Sequence, residues 1–165
     1  MEKLLSFVNQ ANHRLRDLNV HLVFKDVELW KDTAAPIATP GDDIEAYRKS
    51  VGEYVNQKHG NNFDATVLIT AHPFSFKTMG TATLGGMCTS GSTAIVNYGV
   101  APFVGVEKFI GWAMAHELGH LMGLRHDYVT YDHCSCGQSG NKTYDGEYCV
   151  MHLDEHDDLS PPSTM

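Results

Sequence analysis

The stretch that decides the reading is His116-Glu117-Leu118-Gly119-His120-Leu121-Met122-Gly123-Leu124-Arg125-His126-Asp127. His116 and His120 stand four apart, so on a helix they lie one turn above the other on the same face. Glu117 follows the first histidine, within reach of whatever those imidazoles hold. Gly123 can take the left-handed conformation that ends a helix, which lets His126 swing back towards the pair. Three neutral imidazoles meeting at a point, with an acid alongside, describe a catalytic zinc site with its fourth position open. A lone i, i+4 histidine pair would carry little weight. In this composition, however, the five fixed positions of HExxHxxGxxH recur by chance only on the order of one time in 10^4.

The rest of the sequence narrows the class of molecule. With 165 residues, 42% of them hydrophobic, the chain has apolar material for one globular domain with a sizeable core. Its net charge of −8 and the lack of any basic cluster longer than two residues argue against a nucleic-acid surface. No apolar run approaches the length that spans a bilayer, so no membrane partner is expected. The N-terminal apolar residues are periodic rather than continuous, unlike a signal peptide.

Cysteine usage points to an oxidising compartment. Cys134, Cys136 and Cys149 cluster near the C-terminus, and Cys134-Ser135-Cys136 is too tight for a zinc-knuckle pair. A disulfide-stapled loop is the better reading, and it implies secretion. Asn141-Lys142-Thr143 is a glycosylation sequon in the same loop. A secreted chain without a visible leader leads us to expect a piece of a longer precursor.

Taken in order, Leu4, Val8, Ala11, Leu15 and Leu18 recur at helical spacing over the first eighteen residues. Residues 20–30 (VHLVFKDVELW) alternate and are rich in β-branched and aromatic types, which predicts a strand. After a Pro-containing loop, Asp42 and Glu45 read as a capping box for a helix ending near His59-Gly60. Residues 65–71 (ATVLITA) read as a central strand buried on both faces. Gly80, Thr81 and Ala82 open a glycine-rich segment read as an exposed edge strand, bent at Gly85-Gly86. Residues 93–98 read as another strand, and residues 106–122 as a helix apolar on nearly all sides, hence central. The acidic run 154–158 reads as a solvated face.

The chemistry expected of the site is peptide hydrolysis. Zinc held by three neutral nitrogens lowers the pKa of bound water to about 7. Glu117 would take that proton during attack on a peptide carbonyl and return it to the departing amine. No GxSxG motif offers a competing nucleophile. Substrate must lie extended beside the metal, and an edge strand at Gly80, Thr81 and Ala82 could accept it as one more strand. The same segment could equally be an ordinary edge strand without a ligand.

HExxHxxGxxH followed downstream by a methionine in a turn resembles the metzincin metallopeptidases. Asp127 after the third histidine resembles the adamalysin (reprolysin) branch, and within it the arthropod, scorpion antarease-like, venom enzymes. Cys149-Val150-Met151 is similar to the family's Met-turn, which implies that Met151 forms a hydrophobic floor beneath the zinc. Residues 80–88 resemble the family's substrate-binding strand. The resemblance implies an α/β (α+β) zincin domain with a twisted, mostly parallel sheet, an antiparallel edge strand and a central zinc-binding helix. It also implies a division into an N-terminal subdomain (1–122) and a small C-terminal subdomain (123–165) with the Met-turn. One Zn2+ per chain, a Cys136–Cys149 disulfide, protein or peptide substrates and a monomeric state follow from the same likeness. Calcium is not assignable, since the family's usual ligands lie near ends that this chain lacks. A member that has become a non-catalytic binding module is the alternative, and such members typically lose the base or a ligand. Glu117 and all three histidines are present here.

Overall fold

The computed structural model describes residues 2–31, 35–38, 41–74, 78–101 and 105–126. Asp127, the cysteines at 134, 136 and 149, Asn141, Met151 and the acidic run lie outside the described residues, as does most of the expected second subdomain.

The centre of the fold is strand β3 (Thr93–Asn97), buried along its whole length. Strand β1 (Thr66–Thr70) pairs with it in parallel on one side, and strand β2 (Gly80–Ala82) pairs antiparallel on the other. Successive side chains of a strand point to opposite faces. Ala94 and Val96 therefore enter one core, shared with helices α1 (Glu2–Leu15) and α3 (Val106–Leu121). Ile95 enters a second core with Phe74 and with Tyr47 and Val51 of helix α2 (Ile44–His59). A sheet needs both faces covered when its middle strand is apolar on both. The result is the mixed α/β architecture expected, with an antiparallel edge strand and a central helix.

Several expectations need correction. Residues 65–71 do form a strand, but β1 borders the three-stranded sheet and is only half-buried. A continuous apolar run marks contact on two faces and carries no information about rank within the sheet. Residues 20–31 form no strand. Their backbone finds side-chain partners instead: Asn12 of α1 donates to the Leu22 carbonyl at 3.2 Å and accepts from the Leu22 N–H at 2.6 Å. Farther along, Tyr54 and Lys58 of α2 hold Glu28, and Trp30 packs edge-on to Tyr54. Val23 and Leu29 are left 87% and 84% exposed, so the alternation there does not mark a buried face.

The third correction is at the start of α2. Asp43, not Asp42, caps the helix, its carboxylate accepting from the Ala46 N–H at 3.0 Å. Glu45 is thereby released from the capping box and turns elsewhere. The helix ends at Gly60 (φ +60°) as expected. In α1 the stripe holds for Val8, Ala11 and Leu15, whereas Leu18 sits in a closing 3-10 turn and is exposed.

α1 crosses α3 at a glycine. A Cβ at Gly111 would lie 2.2 Å from Gln10 Cβ, 3.1 Å from the Phe7 carbonyl oxygen and 3.3 Å from the Ala11 nitrogen. Gly111→Ala gains about 1 kcal/mol in helix propensity, but two of those contacts are backbone and yield only if the helices part. We expect a net destabilisation of about 2 kcal/mol, since an approach of 2.2 Å falls at the upper end of the 1–3 that overpacking typically costs. Denaturant titration reads it as a lower midpoint; an unchanged midpoint would show that the crossing is loose.

Candidate metal centre

α3 is apolar on nearly all sides because it runs through the first core, where Ile110, Ala113, Met114, Leu118 and Leu121 are buried. His116 and Glu117 are carried into that interior and are each 5% exposed. The helix then stops. Gly123 takes φ +94°, its N–H bonding to the His120 carbonyl at 2.8 Å, while Leu124 N–H bonds to the Gly119 carbonyl at 2.9 Å. This reversal brings His126 back over the last helical turn.

The three rings converge. His126 Nε2 lies 3.0 Å from His116 Nε2 and 2.9 Å from His120 Nε2, and one nitrogen from each ring lies within 4.8 Å of the others. Three nitrogens around a tetrahedral zinc at 2.0–2.1 Å stand ~3.3 Å apart. Facing ring nitrogens need a proton or a cation between them, and imidazole is a common donor for zinc. The donor set therefore fits a zinc ion. His120 Nδ1 is 2.9 Å from the Leu124 carbonyl oxygen. A carbonyl can only accept, so Nδ1 carries the proton and Nε2 presents its lone pair to the cluster.

Glu117 lines the same cleft and lies against the edge strand. Its Oε2 is buried with no hydrogen-bond partner among the described residues, and a Cβ at Gly80 would lie 2.5 Å from its Oε1. The Ile95 carbonyl oxygen would lie 2.6 Å from the same Cβ, so backbone and carboxyl together require glycine at position 80. Burial pushes the Glu117 carboxyl up to about 8, the negative charge of Glu45 adds to the rise, and Arg48 opposes it. A cation among the imidazoles would favour the ionised form again.

Between β2 and α3 lies a cleft of about 510 Å³, lined by residues 78–82 on one side and by Trp112, Glu117 and the three histidines on the other. Gly80, Thr81 and Ala82 are the whole of β2, with β3 as their ladder partner. Asn97 N–H bonds to the Met79 carbonyl at 2.7 Å. Antiparallel pairs alternate between bonded and non-bonded, so the N–H and C=O groups of Gly80 and Ala82 point away from β3, along the open edge. The expected bend follows at Gly85 (φ +69°), and the Gly85 and Met87 N–H groups bond to the carbonyls of His120 and Leu121. Cys88 is exposed, with its thiol 3.5 Å from Asp64 Oδ1.

Four residues near this centre escaped sequence reasoning. Trp112 lies four before His116, hence on its face, and the two rings are 5.5 Å apart. The same i, i+4 spacing that pairs the histidines could have found it. Arg125 lines the cleft from the loop between the second and third histidines. Glu45 and Arg48 approach from α2, and no local pattern announces them.

A helix-borne HExxH, a third histidine returned by a glycine turn and an edge strand alongside define the metzincin class of metal centre. Comparison with known proteins is in accord. The model of the reprolysin (M12B) family of zinc metalloproteases matches residues 1–161, and the chain belongs to that family. The zinc metalloproteinase-disintegrin-like atrase-A of Naja atra is 32% identical over 139 residues, covering 83% of this chain and 21% of the relative. The disintegrin and metalloproteinase domain-containing protein unc-71 of Caenorhabditis elegans is 34% identical over 142 residues, covering 82% and 12%. The zinc metalloproteinase-disintegrin-like BmMP of Bungarus multicinctus is 30% identical over 137 residues, covering 80% and 21%. The chain thus spans about a fifth or less of the length of these curated relatives. No helix among the described residues is long and apolar enough to cross a membrane.

Proposed function

We propose that this chain is the catalytic part of a secreted zinc endopeptidase, with one zinc per chain held by His116, His120 and His126. The observation that carries this reading is the meeting of three imidazole nitrogens within 4.8 Å beside a buried carboxyl group with an unpartnered oxygen. Zinc supplies Lewis acidity, polarising a scissile carbonyl and bringing the pKa of a water down to about 7. Glu117 accepts the proton from the attacking water and delivers it to the departing nitrogen as the amide bond breaks. The open edge of β2 binds an extended peptide through the backbone of Gly80 and Ala82. Trp112 walls the cleft beside His116 and restricts water there.

Secretion is supported by the clustered cysteines and the sequon at Asn141. Within this reading, Cys136–Cys149 closes the loop that carries the sequon, Met151 lies under the metal, and residues 123–165 form the smaller subdomain of a monomer. A venom role, of the kind found in arthropod enzymes, is the finer proposal, supported by the likeness of the zinc motif and Met-turn.

Metal analysis and cleavage of a peptide library on one sample test the reading together. We expect one zinc per chain and internal peptide-bond cleavage that phenanthroline abolishes and added zinc restores. Zinc bound without cleavage would point to a binding module. Cleavage that survives removal of the metal would overturn the proposal.

A further inference from the structure

We infer that Arg48 and Glu45 of α2 are positioning residues that hold edge strand β2 from behind, fixing its open edge in the shape an extended peptide needs. This rests on the endopeptidase reading above.

A three-residue edge strand is a weak platform, because one ladder is all that its backbone contributes. Ala82 packs against the α1/α3 core on one face, and the side-chain hydrogen bonds to Thr81 and to Thr83 just beyond the strand come from the other. Opposed residues of neighbouring strands share a face: Gly80 lies opposite Val96 and Ala82 opposite Ala94, whereas Thr81 lies opposite Ile95. Gly80 and Ala82 therefore face α3. There Gly80 has no side chain and cannot have one, hemmed in by Glu117 Oε1 and by the Ile95 carbonyl oxygen.

Thr81 faces α2, and Thr83, two residues on, reaches the same helix. Thr81 Oγ1 donates to Glu45 Oε1, and Arg48 Nη1 donates to Thr83 Oγ1. Arg48 closes the circuit, its Nε and Nη2 donating to Glu45 Oε2 at 3.2 and 2.9 Å. One oxygen of Glu45 thus serves the strand and the other serves the guanidinium. The Arg48 side chain is only 11% exposed. The Glu45 side chain is 51% exposed, so the sheltered bond of the set is the one from the Arg48 guanidinium to Thr83. A helix pair serving α2 alone would need neither threonine.

The test uses the zinc-loaded chain and three variants. Arg48→Met removes the fork and keeps the bulk, Arg48→Lys keeps the charge, and Thr83→Val removes the acceptor while leaving Arg48 with Glu45. Amide exchange of β2 and steady-state kinetics are measured on all of them. The kinetics use an octapeptide long enough to lie along the strand and a tripeptide that is not. For Arg48→Met and Thr83→Val we expect exchange of the Thr81 amide, the one of β2 that faces β3, to accelerate about 10-fold or more. We also expect KM for the octapeptide to rise by about the same factor in both, with the tripeptide KM changed little and, in Thr83→Val, which leaves the Arg48 charge in place, kcat unchanged as well. Arg48→Lys should recover part of both effects.

Unchanged exchange would overturn the brace. Faster exchange with an unchanged octapeptide KM would overturn its role in substrate binding. Failure of the unaltered chain to cleave any peptide would strike the endopeptidase reading itself, and the exchange arm would still report on the brace.

Discussion

Glu117→Gln leaves zinc content at one per chain and lowers peptide hydrolysis by about 10^2–10^4-fold, the range typical of a lost general acid–base group. The substitution is close to isosteric, so the carboxamide occupies the same buried space against Gly80. It keeps an oxygen but can neither accept a proton at neutral pH nor hand one on. His116, His120 and His126 meet one another without help from Glu117, so the metal should remain. Metal analysis and kcat/KM on the same preparation check this. Full activity in the variant would remove Glu117 from the mechanism, whereas loss of zinc with the activity would make it a structural support of the site.

His126→Ala should do the opposite and abolish stable zinc binding. His126 Nε2 lies within 3.0 Å of a nitrogen of each other ring, and His116 and His120 alone would leave a two-ligand site. Losing an outer partner of a ligand typically costs 10–100-fold in metal affinity. Losing the ligand should therefore cost more than about 100-fold, read by competition with a chelating dye. The fold should persist, because His126 lies past the last helix and belongs to neither buried core. Near-native circular dichroism without zinc is the companion result. Retained nanomolar-range zinc affinity would place the ion elsewhere.

The metal centre is the part of this protein most legible in the sequence, and the reason is its locality. Its three imidazoles lie within eleven residues, so helical periodicity and one glycine suffice to bring them together. α3 is equally legible, since a segment apolar all round can only be internal. β2 is readable as an edge strand from its glycines. What escapes is whatever depends on partners distant in the chain. No pattern in residues 20–31 says that Asn12 will take the place of a neighbouring strand. The apolar run at 65–71 says that β1 packs on two faces, not that it lies beside β3 rather than at the centre. Glu45 looks like half of a capping box, and only the third dimension shows it reaching Thr81. Such side chains on α2 meet the site only after the sheet has formed.

The turn after β2 has a bearing on where a substrate would be cut. Through Gly85 and Met87 it is bolted to the carbonyls of His120 and Leu121, at the end of the helix that carries the histidines. The turn after the strand and the histidine-bearing helix are thereby tied to one another. A peptide laid along the strand would be indexed to the histidine cluster as a workpiece is indexed to a blade by a fixed fence. Under the proposed endopeptidase reading, a peptide paired with β2 would re-form its ladder only every second residue, so each allowed step of slip would move the cut by two bonds.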